Sequence, residues 1–344
     1  MSPEGGEGEN GCFNRKGYTT GFARSLAMLR ILSAGLLIVV LGVSLVAAQD
    51  DATPIPTPAP VATPTPIPRP APVTVLEQER ATLELYFANI PQGGVGLLHV
   101  RGEGLAGARA RFLNELIDFF PGPDDGYYGL LAVDMEQSAR MYPLSVFTWT
   151  LDGQRVTINT EVEVVLGSFI RQDDLTIPPD RAYLVDTEIE RAEIARLESI
   201  FSQVTPRRLW DATGFQYPIL NTTLTSPFGA FRTFNGTFRT RHTGWDLRTT
   251  LGVPLMAMSS GEVAFAGRLD IRGNMIAIDH GYGVFSTYSH LSQIHVTRGQ
   301  TVAKGQIIGV TGDTGRSSGP HFHWEVAVNG HFVDSVDFTN TWLP

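Results

Sequence analysis

The sequence predicts a mainly β protein built from antiparallel strands. Apolar side chains alternate with polar ones over residues 156–164, which is the period-two pattern of a half-buried strand. A strand-like segment, residues 144–150, precedes it and is joined to it by Asp152-Gly153, a dipeptide typical of hairpin turns. The segment 321–328 near the C-terminus is also followed by a turn signal, Asn329-Gly330. Two hairpin signals and a period of two favour antiparallel sheets over a helical fold.

The start of the chain is predicted to form a cytoplasmic N-region (1–30), an apolar segment (31–48) and a proline-rich linker (49–73). Basic residues precede the apolar segment and no acid lies between Glu9 and this segment, which is the arrangement of an export signal. The segment is intermediate in length between a cleaved signal peptide and a membrane anchor, and Val46-Ala47-Ala48 offers a cleavage site. Both alternatives place the rest of the chain outside the cytoplasm, in the cell envelope or secreted. The uncleaved form would be anchored in a membrane.

Proline alternates with Thr, Ala, Ile and Val through most of the linker. This pattern removes backbone donors and favours the extended polyproline II conformation. We expect a semi-rigid spacer that holds the following domains away from a membrane.

Residues 74–185 are predicted to form a small β-sandwich-like domain. Further apolar strand patterns occur at 93–100 and at 127–133, the second of them after a turn-rich stretch of Pro, Gly and Asp. No cluster of titratable residues in this region has the pattern of a catalytic site.

A connecting helix is predicted within residues 186–204. Thr187 and Glu190 have the spacing of a capping box, and apolar residues then follow at helical intervals. The remaining residues, 205–344, are predicted to form the C-terminal domain.

The composition argues against nucleic-acid binding and limits the residue types that could bind a metal. With 42% hydrophobic and 18% charged residues the chain is globular, and its net charge of −9 argues against nucleic-acid binding, which needs a basic face. The single cysteine, Cys12, lies before the apolar segment, so no disulfide or cysteine metal site is available downstream. Any metal must be bound by His, Asp or Glu.

The histidines are concentrated in the C-terminal domain. Of the eight in the chain, one lies upstream and the others are His242, His280, His290, His295, His321, His323 and His331. Residues two apart in a strand point to the same face, so His321 and His323 can reach one ion, and His242 and Asp246 also have matching parity in an extended chain. The spacing predicts a metal site.

The chemistry of such a site is hydrolytic. Catalytic zinc commonly takes three His or carboxylate ligands and leaves a position for water, while further histidines take up a proton or stabilise an oxyanion. His290, in Tyr288-Ser-His-Leu, supplies an additional histidine. The spacing alone leaves open which of His290, His321 and His323 are ligands.

A wider pattern surrounds these motifs, and it closely resembles the lysostaphin-like, LytM-type zinc metallopeptidases, which cleave peptidoglycan cross-bridges or stem peptides. The similarity extends from about Ser226 to Val333 and consists of ordered blocks: Ser226-Pro-Phe-Gly229, His242-x-Gly-x-Asp246, Gly252-x-Pro254, Gly261-x-Val263, Asp279-His-Gly281, Tyr288-Ser-His-Leu291, Gly305-x-x-Ile-Gly309 and Gly312 to Glu325. The strand-rich region upstream resembles the immunoglobulin-like domain often found in such proteins.

The resemblance implies roles for five residues. His242, Asp246 and His323 would bind one zinc ion per chain, His321 would act as general base, and His290 would help to stabilise the tetrahedral intermediate. It also implies an antiparallel β peptidase fold, the duplicated hybrid motif, with an open groove for a peptide of peptidoglycan.

Two other functions remain as alternatives. Relatives that lose zinc ligands act as non-enzymatic regulators or activators of cell-wall hydrolases, and a wall-binding module would adhere without cutting. The bond that is cut, any inhibition by the middle domain, the oligomeric state and any partners in the divisome or cell-wall machinery are left open.

Four residues near these motifs have other expected roles. Glu325 shares strand parity with His323 and is expected either to contact a metal ligand or to occupy an ordinary strand face. His280 is expected to be structural, and His295 and His331 are expected at the surface.

Overall fold

A computed structural model describes residues 67–124 and 126–344. The predicted N-region, apolar segment and most of the linker therefore lie outside the described residues. Among the helices that are described, none combines the length and the apolarity needed to cross a membrane.

The upstream region is built from two five-stranded sheets, with the orders β1-β2-β4-β8-β7 and β3-β10-β9-β5-β6. The strands are β1 (Thr74–Gln78), β2 (Ala81–Leu85), β3 (Ile90–Pro91), β4 (Val95–Arg101), β5 (Leu105–Phe112), β6 (Glu115–Asp118), β7 (Phe120–Pro121), β8 (Tyr127–Ala132), β9 (Met141–Thr150) and β10 (Arg155–Val165).

These strands form where the period-two pattern predicts them. β9 and β10 are an antiparallel pair whose buried residues alternate with exposed ones, and Gly153 in the turn has a φ of 82°. Leu98 and Leu131 of one sheet share a core with Leu144 and Val146 of the other, so the two sheets pack face to face. The immunoglobulin-like assignment of this sandwich and the exact domain boundaries stay predictions.

A connecting segment follows, with a 3-10 turn at Pro179–Leu184 and a helix, α1 (Thr187–Phe201). The helix is present as predicted, but its cap differs from the expected one. Asp186 is the N-cap, and its carboxylate accepts hydrogen bonds from the amides of Glu188 and Ile189. Glu190 instead accepts a hydrogen bond from the hydroxyl of Thr240, at 2.8 Å, so it makes a tertiary contact and the capping-box prediction was wrong.

The C-terminal region contains the remaining elements. They are β11 (Leu224–Ser226), β12 (Phe231–Phe234), β13 (Phe238–Arg241), β14 (Trp245–Arg248), β15 (Pro254–Met256), β16 (Gly261–Arg268), β17 (Asn274–Asp279), β18 (Val284–Leu291), β19 (Gln293–Ile294), β20 (Thr301–Val302), β21 (Ile307–Val310), β22 (His321–Val328), β23 (His331–Val333) and α2 (Ser335–Thr339).

An eight-stranded sheet dominates this region and follows the order β11-β14-β22-β18-β17-β16-β20, with β23 paired to β22. Its pairings are antiparallel. A β12-β13 hairpin and a three-stranded sheet, β15-β21-β19, complete the region. The prediction of a mainly β protein is confirmed.

The upstream and C-terminal regions pack against each other through one sheet. Alternate residues of β4 point to different cores: Leu98 faces the sandwich interior, whereas Leu97 belongs to the core of the C-terminal region. Phe120 stacks on Tyr282 with ring centroids 4.4 Å apart. A strand buried on both faces in this way makes the two regions one packed body.

Candidate active site

The register of the large sheet brings the predicted site residues together. Asp246 on β14 lies directly opposite His323 on β22, and Ser289 on β18 lies opposite His323 on the other side. His242 stands in the short loop between β13 and β14, four residues before Asp246. Cross-strand pairing thus places residues that are far apart in sequence side by side at the edge of a groove.

Three potential ligand atoms converge on one point. Nε2 of His242 lies 3.1 Å from Oδ1 of Asp246 and 3.0 Å from Nδ1 of His323, and the last two atoms are 2.8 Å apart. The three side chains are buried. Among the described residues, these three side chains lie close enough together to bind one metal ion.

The other nitrogen of each histidine ring defines the tautomer. Nδ1 of His242 lies 2.8 Å from the carbonyl oxygen of Pro227, and Nε2 of His323 lies 3.2 Å from Oε1 of Glu325. A carbonyl or carboxylate only accepts, so a neutral ring protonated at these nitrogens presents a lone pair at the converging one. Two lone pairs and a carboxylate facing one another repel unless a cation lies between them. The donor set therefore fits a metal ion.

His321 and His290 flank this centre. Nε2 of His321 is 3.6 Å from Oδ1 of Asp246, and the ring centroids of His321 and His290 are 4.6 Å apart. The backbone of His290 is left-handed, with a φ of 61°, at the end of β18, and this conformation turns its ring toward His321. All five predicted residues thus lie in one cluster.

Carbonyl oxygens orient these two rings as well. Nδ1 of His321 lies 2.8 Å from the carbonyl oxygen of Gly319, and Nδ1 of His290 lies 2.7 Å from that of Thr314. Both Nδ1 atoms therefore donate, and in the neutral rings both Nε2 atoms are available to accept a proton.

Burial and neighbouring charges shift the pKa values of three histidines in this cluster. Burial, with the charge of Arg232, lowers the pKa of His242 to about 4, and burial beside His321 and His323 holds the pKa of His290 well below its usual range. At His323 burial is outweighed by Glu325 and Asp246, whose charges raise its pKa. The same negative potential that favours a proton at His323 favours a metal cation there.

Arg232 is a functional candidate that the motifs did not indicate. Its guanidinium forms a buried ion pair with Oδ2 of Asp246, and it also donates to Ser226 Oγ at 2.6 Å and to Gln172 Oε1 at 2.8 Å. Burial raises the pKa of Asp246, but Arg232 and His242 hold that pKa well below its ordinary value. Arg232 thus keeps Asp246 ionised and fixes the orientation of its second oxygen.

The centre opens into a cleft of about 410 Å³. His242, His290 and His323 line one wall, and Glu190 and Ile194 of α1 line another. The segment 170–175 pairs in parallel with β12 at the rim of the site, through the amide of Gln172 and the carbonyl of Phe231 at 3.0 Å. Parts of the connecting segment therefore help to shape the cleft.

The remaining histidines lie away from the centre. His280 is buried between the carbonyl of Ser260 and the hydroxyl of Ser286, each at 2.7 Å, which agrees with a structural role, and His295 is exposed. His331 is half-buried, with Nε2 3.0 Å from Oε1 of Glu115 in the upstream region.

Two more missed residues, Arg272 and Glu193, lie behind His323. Arg272 has no local sequence signal. Glu193 has one, because it occupies the same helix face as the buried residues Leu197 and Ile200, and an acid at a core position of a helix needs a partner.

The convergent His-Asp-His set defines a candidate metal site. Residues 240–335 match the family model described as Peptidase family M23. The chain therefore carries a domain of this family, of the lysostaphin-like and LytM type.

Relatives with named activities support the same assignment. The chain is 39% identical over 132 residues to the DD-carboxypeptidase/endopeptidase Mpg of Neisseria meningitidis serogroup B, covering 38% of this chain and 30% of that protein. It is 39% identical over 95 residues to the peptidoglycan DD-endopeptidase ShyA of Vibrio cholerae, covering 28% of this chain and 22% of that protein. The matched stretch thus spans less than a third of the length of either relative.

One similar solved structure covers more of the molecule. A putative peptidase M23 from Pseudomonas aeruginosa superposes with a TM-score of 0.55 and 25% identity, covering 72% of this chain and 94% of that one. The likeness extends beyond the residues that the family model matches.

Proposed function

We propose that the protein is a zinc-dependent endopeptidase that hydrolyses peptide bonds in peptidoglycan. The observation that carries this proposal is the convergence of His242 Nε2, Asp246 Oδ1 and His323 Nδ1, separated from one another by 2.8 to 3.1 Å. Two imidazole nitrogens and one carboxylate are a common protein ligand set of catalytic zinc. One bound zinc would acidify a water molecule and polarise the scissile carbonyl.

The two flanking histidines would do the proton work. Nδ1 of His321 is engaged by the carbonyl of Gly319, so its Nε2 is free to accept a proton from the attacking water and to return it to the leaving amine. His290 is similarly held by Thr314, so its Nε2 donates to a developing oxyanion only after it has gained a proton. The proton taken from the water would pass from His321 to His290 while the oxyanion exists and would return through His321 to the leaving amine, so one proton serves both steps.

The groove and the relatives together suggest the substrate. The cleft beside the metal centre is open to solvent and suits an extended peptide. The two relatives named as endopeptidases of the DD type favour the same bond class here over a glycine-rich bridge. Peptidoglycan lies outside the cytoplasm, which agrees with the export signal predicted at residues 31–48.

The test is release of new amino groups from purified peptidoglycan by the full chain, with mass spectrometry of the fragments to locate the cut bond. We expect release to stop on chelation and to return with zinc. His321→Ala should lower the rate by about 10²- to 10⁴-fold, the usual contribution of a general base, while zinc remains bound.

His295→Ala is the matched control, because that histidine is exposed and distant from the centre. It should cleave at the wild-type rate. Undiminished cleavage by His321→Ala would exclude the assigned base, and zinc binding without any cleavage would favour the regulator alternative.

A further inference from the structure

A buried cluster of three charged side chains lies behind the metal centre. It consists of Glu325 on β22, Arg272 before β17 and Glu193 on α1, and all three are buried. Glu193 lies outside the residues matched by the family model, which begins at residue 240. The cluster therefore links the connecting helix to the peptidase domain.

Glu325 joins this cluster to the metal ligand His323. Its Oε1 lies 3.2 Å from Nε2 of His323, and the guanidinium of Arg272 binds it through two nitrogens, with Nε 2.9 Å from Oε2. The hydroxyls of Thr243 and Thr287 each donate to it at 2.6 Å. Every oxygen of Glu325 is thus used, and its position is fixed.

Glu193 holds the other side of Arg272. Its Oε1 accepts from NH1 of Arg272 at 3.1 Å and from the amide of Arg272 at 3.0 Å, and its Oε2 accepts from the amide of Ile271 at 2.6 Å. Three donors are satisfied by one side chain from the helix. The helix is therefore attached to the loop that carries Arg272.

Stability does not account for this arrangement, because apolar residues of similar volume commonly replace buried ion pairs without loss of stability. Charge balance does account for it. Arg272 alone would neutralise Glu325 and leave a weak acceptor for His323. With Glu193 present the three side chains carry a net charge of −1, and the negative charge of Glu325 remains available to the ligand.

We propose that Glu193 is a positioning residue of the metal centre, which neutralises Arg272 so that Glu325 can orient His323 and strengthen it as a ligand. This inference rests on the proposed function in taking the metal as zinc. It places the functional boundary of the peptidase before α1.

The test compares zinc affinity in the full chain, by competition with a chromophoric chelator. Partners of metal ligands contribute about 10- to 100-fold in affinity, and we expect Glu193→Gln to weaken zinc binding by about tenfold. The visible spectrum of the cobalt-substituted protein should shift as well, because the geometry at His323 changes. Thermal unfolding of the zinc-free protein shows whether each variant is folded.

If charge balance is the cause, a second substitution should restore zinc affinity. Adding Arg272→Met to Glu193→Gln removes the positive charge that would otherwise neutralise Glu325, so zinc affinity should recover toward the wild-type value. Glu193→Asp keeps the charge and should bind zinc more tightly than Glu193→Gln. It also serves as the second variant if the amide variant does not fold.

Glu198→Gln is the matched control, because Glu198 is exposed on the same helix, and it should leave zinc affinity unchanged. Wild-type affinity in Glu193→Gln, or no recovery in the double variant, would overturn the inference while leaving the peptidase proposal intact. A wild-type chain that binds no zinc would overturn both.

Discussion

Two clusters among the described residues combine a buried histidine and a buried glutamate with an arginine, and one of the two resembles an active site. In the upstream sandwich, Nδ1 of His99 lies 2.9 Å from Oε2 of Glu84, and Arg101 donates to the same carboxylate at 2.9 Å. In the C-terminal region, His323 contacts Glu325, which Arg272 holds. The composition of the two clusters is the same.

They differ in what the second ring nitrogen faces. Nε2 of His99 is buried and has no hydrogen-bond partner among the described residues, and the ring stacks on Tyr128 at 4.1 Å. Nδ1 of His323 faces two further ligand atoms and the cleft. A buried His-Glu pair is thus a structural feature by itself, and converging lone pairs are what make a metal site.

The largest expected effect is a difference in zinc content between variants of His323 and of His99. His323→Ala should abolish stoichiometric zinc binding, because it removes one of three ligands. His99→Ala should keep the zinc and lower the free energy of unfolding by about 1 to 3 kcal/mol, through the loss of a buried hydrogen bond. Metal analysis and thermal unfolding of both variants test this. Zinc loss in His99→Ala would break the distinction.

An intermediate effect is expected for the paired carboxylates. Glu325→Gln should weaken zinc affinity by about 10- to 100-fold, because the partner of a ligating histidine orients it and raises its basicity. Glu84→Gln should leave zinc affinity unchanged and reduce stability only. Equal zinc affinities for the two variants, measured by chelator competition, would contradict the role assigned to Glu325.

The smallest expected effect concerns pH and the contact between the two regions. Hydrogen bonds and charges from Asp134 and Glu115 raise the pKa of His331 to about 9, above its ordinary value of 6.5. Its contribution to stability is therefore complete below about pH 6.5 and is lost as the pH rises through 9. Because the pair is partly exposed, the loss should be below about 1 kcal/mol.

His331→Ala should flatten this pH dependence in unfolding experiments between pH 6 and 10. Glu84 of the upstream cluster gives stability the opposite dependence on pH. Burial opposes ionisation, but His99, Arg101 and Tyr86 lower the pKa of Glu84 to about 2, so its contribution is present above pH 4.5 and lost as the pH falls toward 2. An unchanged alkaline limb in His331→Ala would show that this contact does not titrate.

Local patterns in the sequence predicted much of the fold and the five proposed site residues. The strand at 321–328 and the turn after it were predictable, because side-chain alternation and turn chemistry depend on neighbours in the chain. The N-cap Asp186 was missed, since an acceptable cap stood one residue later. The contact of His331 with Glu115 was missed, because Glu115 belongs to a different sheet.

The sequence by itself determined the mainly β class, through side-chain alternation and turn signals, and it predicted the chemistry of the site, through two short motifs and a family pattern. Tertiary structure alone decided how that chemistry is supported. Arg232 contacts Asp246, Arg272 contacts Glu325, and Glu193 reaches Arg272 from the connecting helix. The last two contacts join residues more than 50 positions apart, and even the first depends on packing across strands. Strand register and helix docking create such pairs, and no local periodicity encodes them.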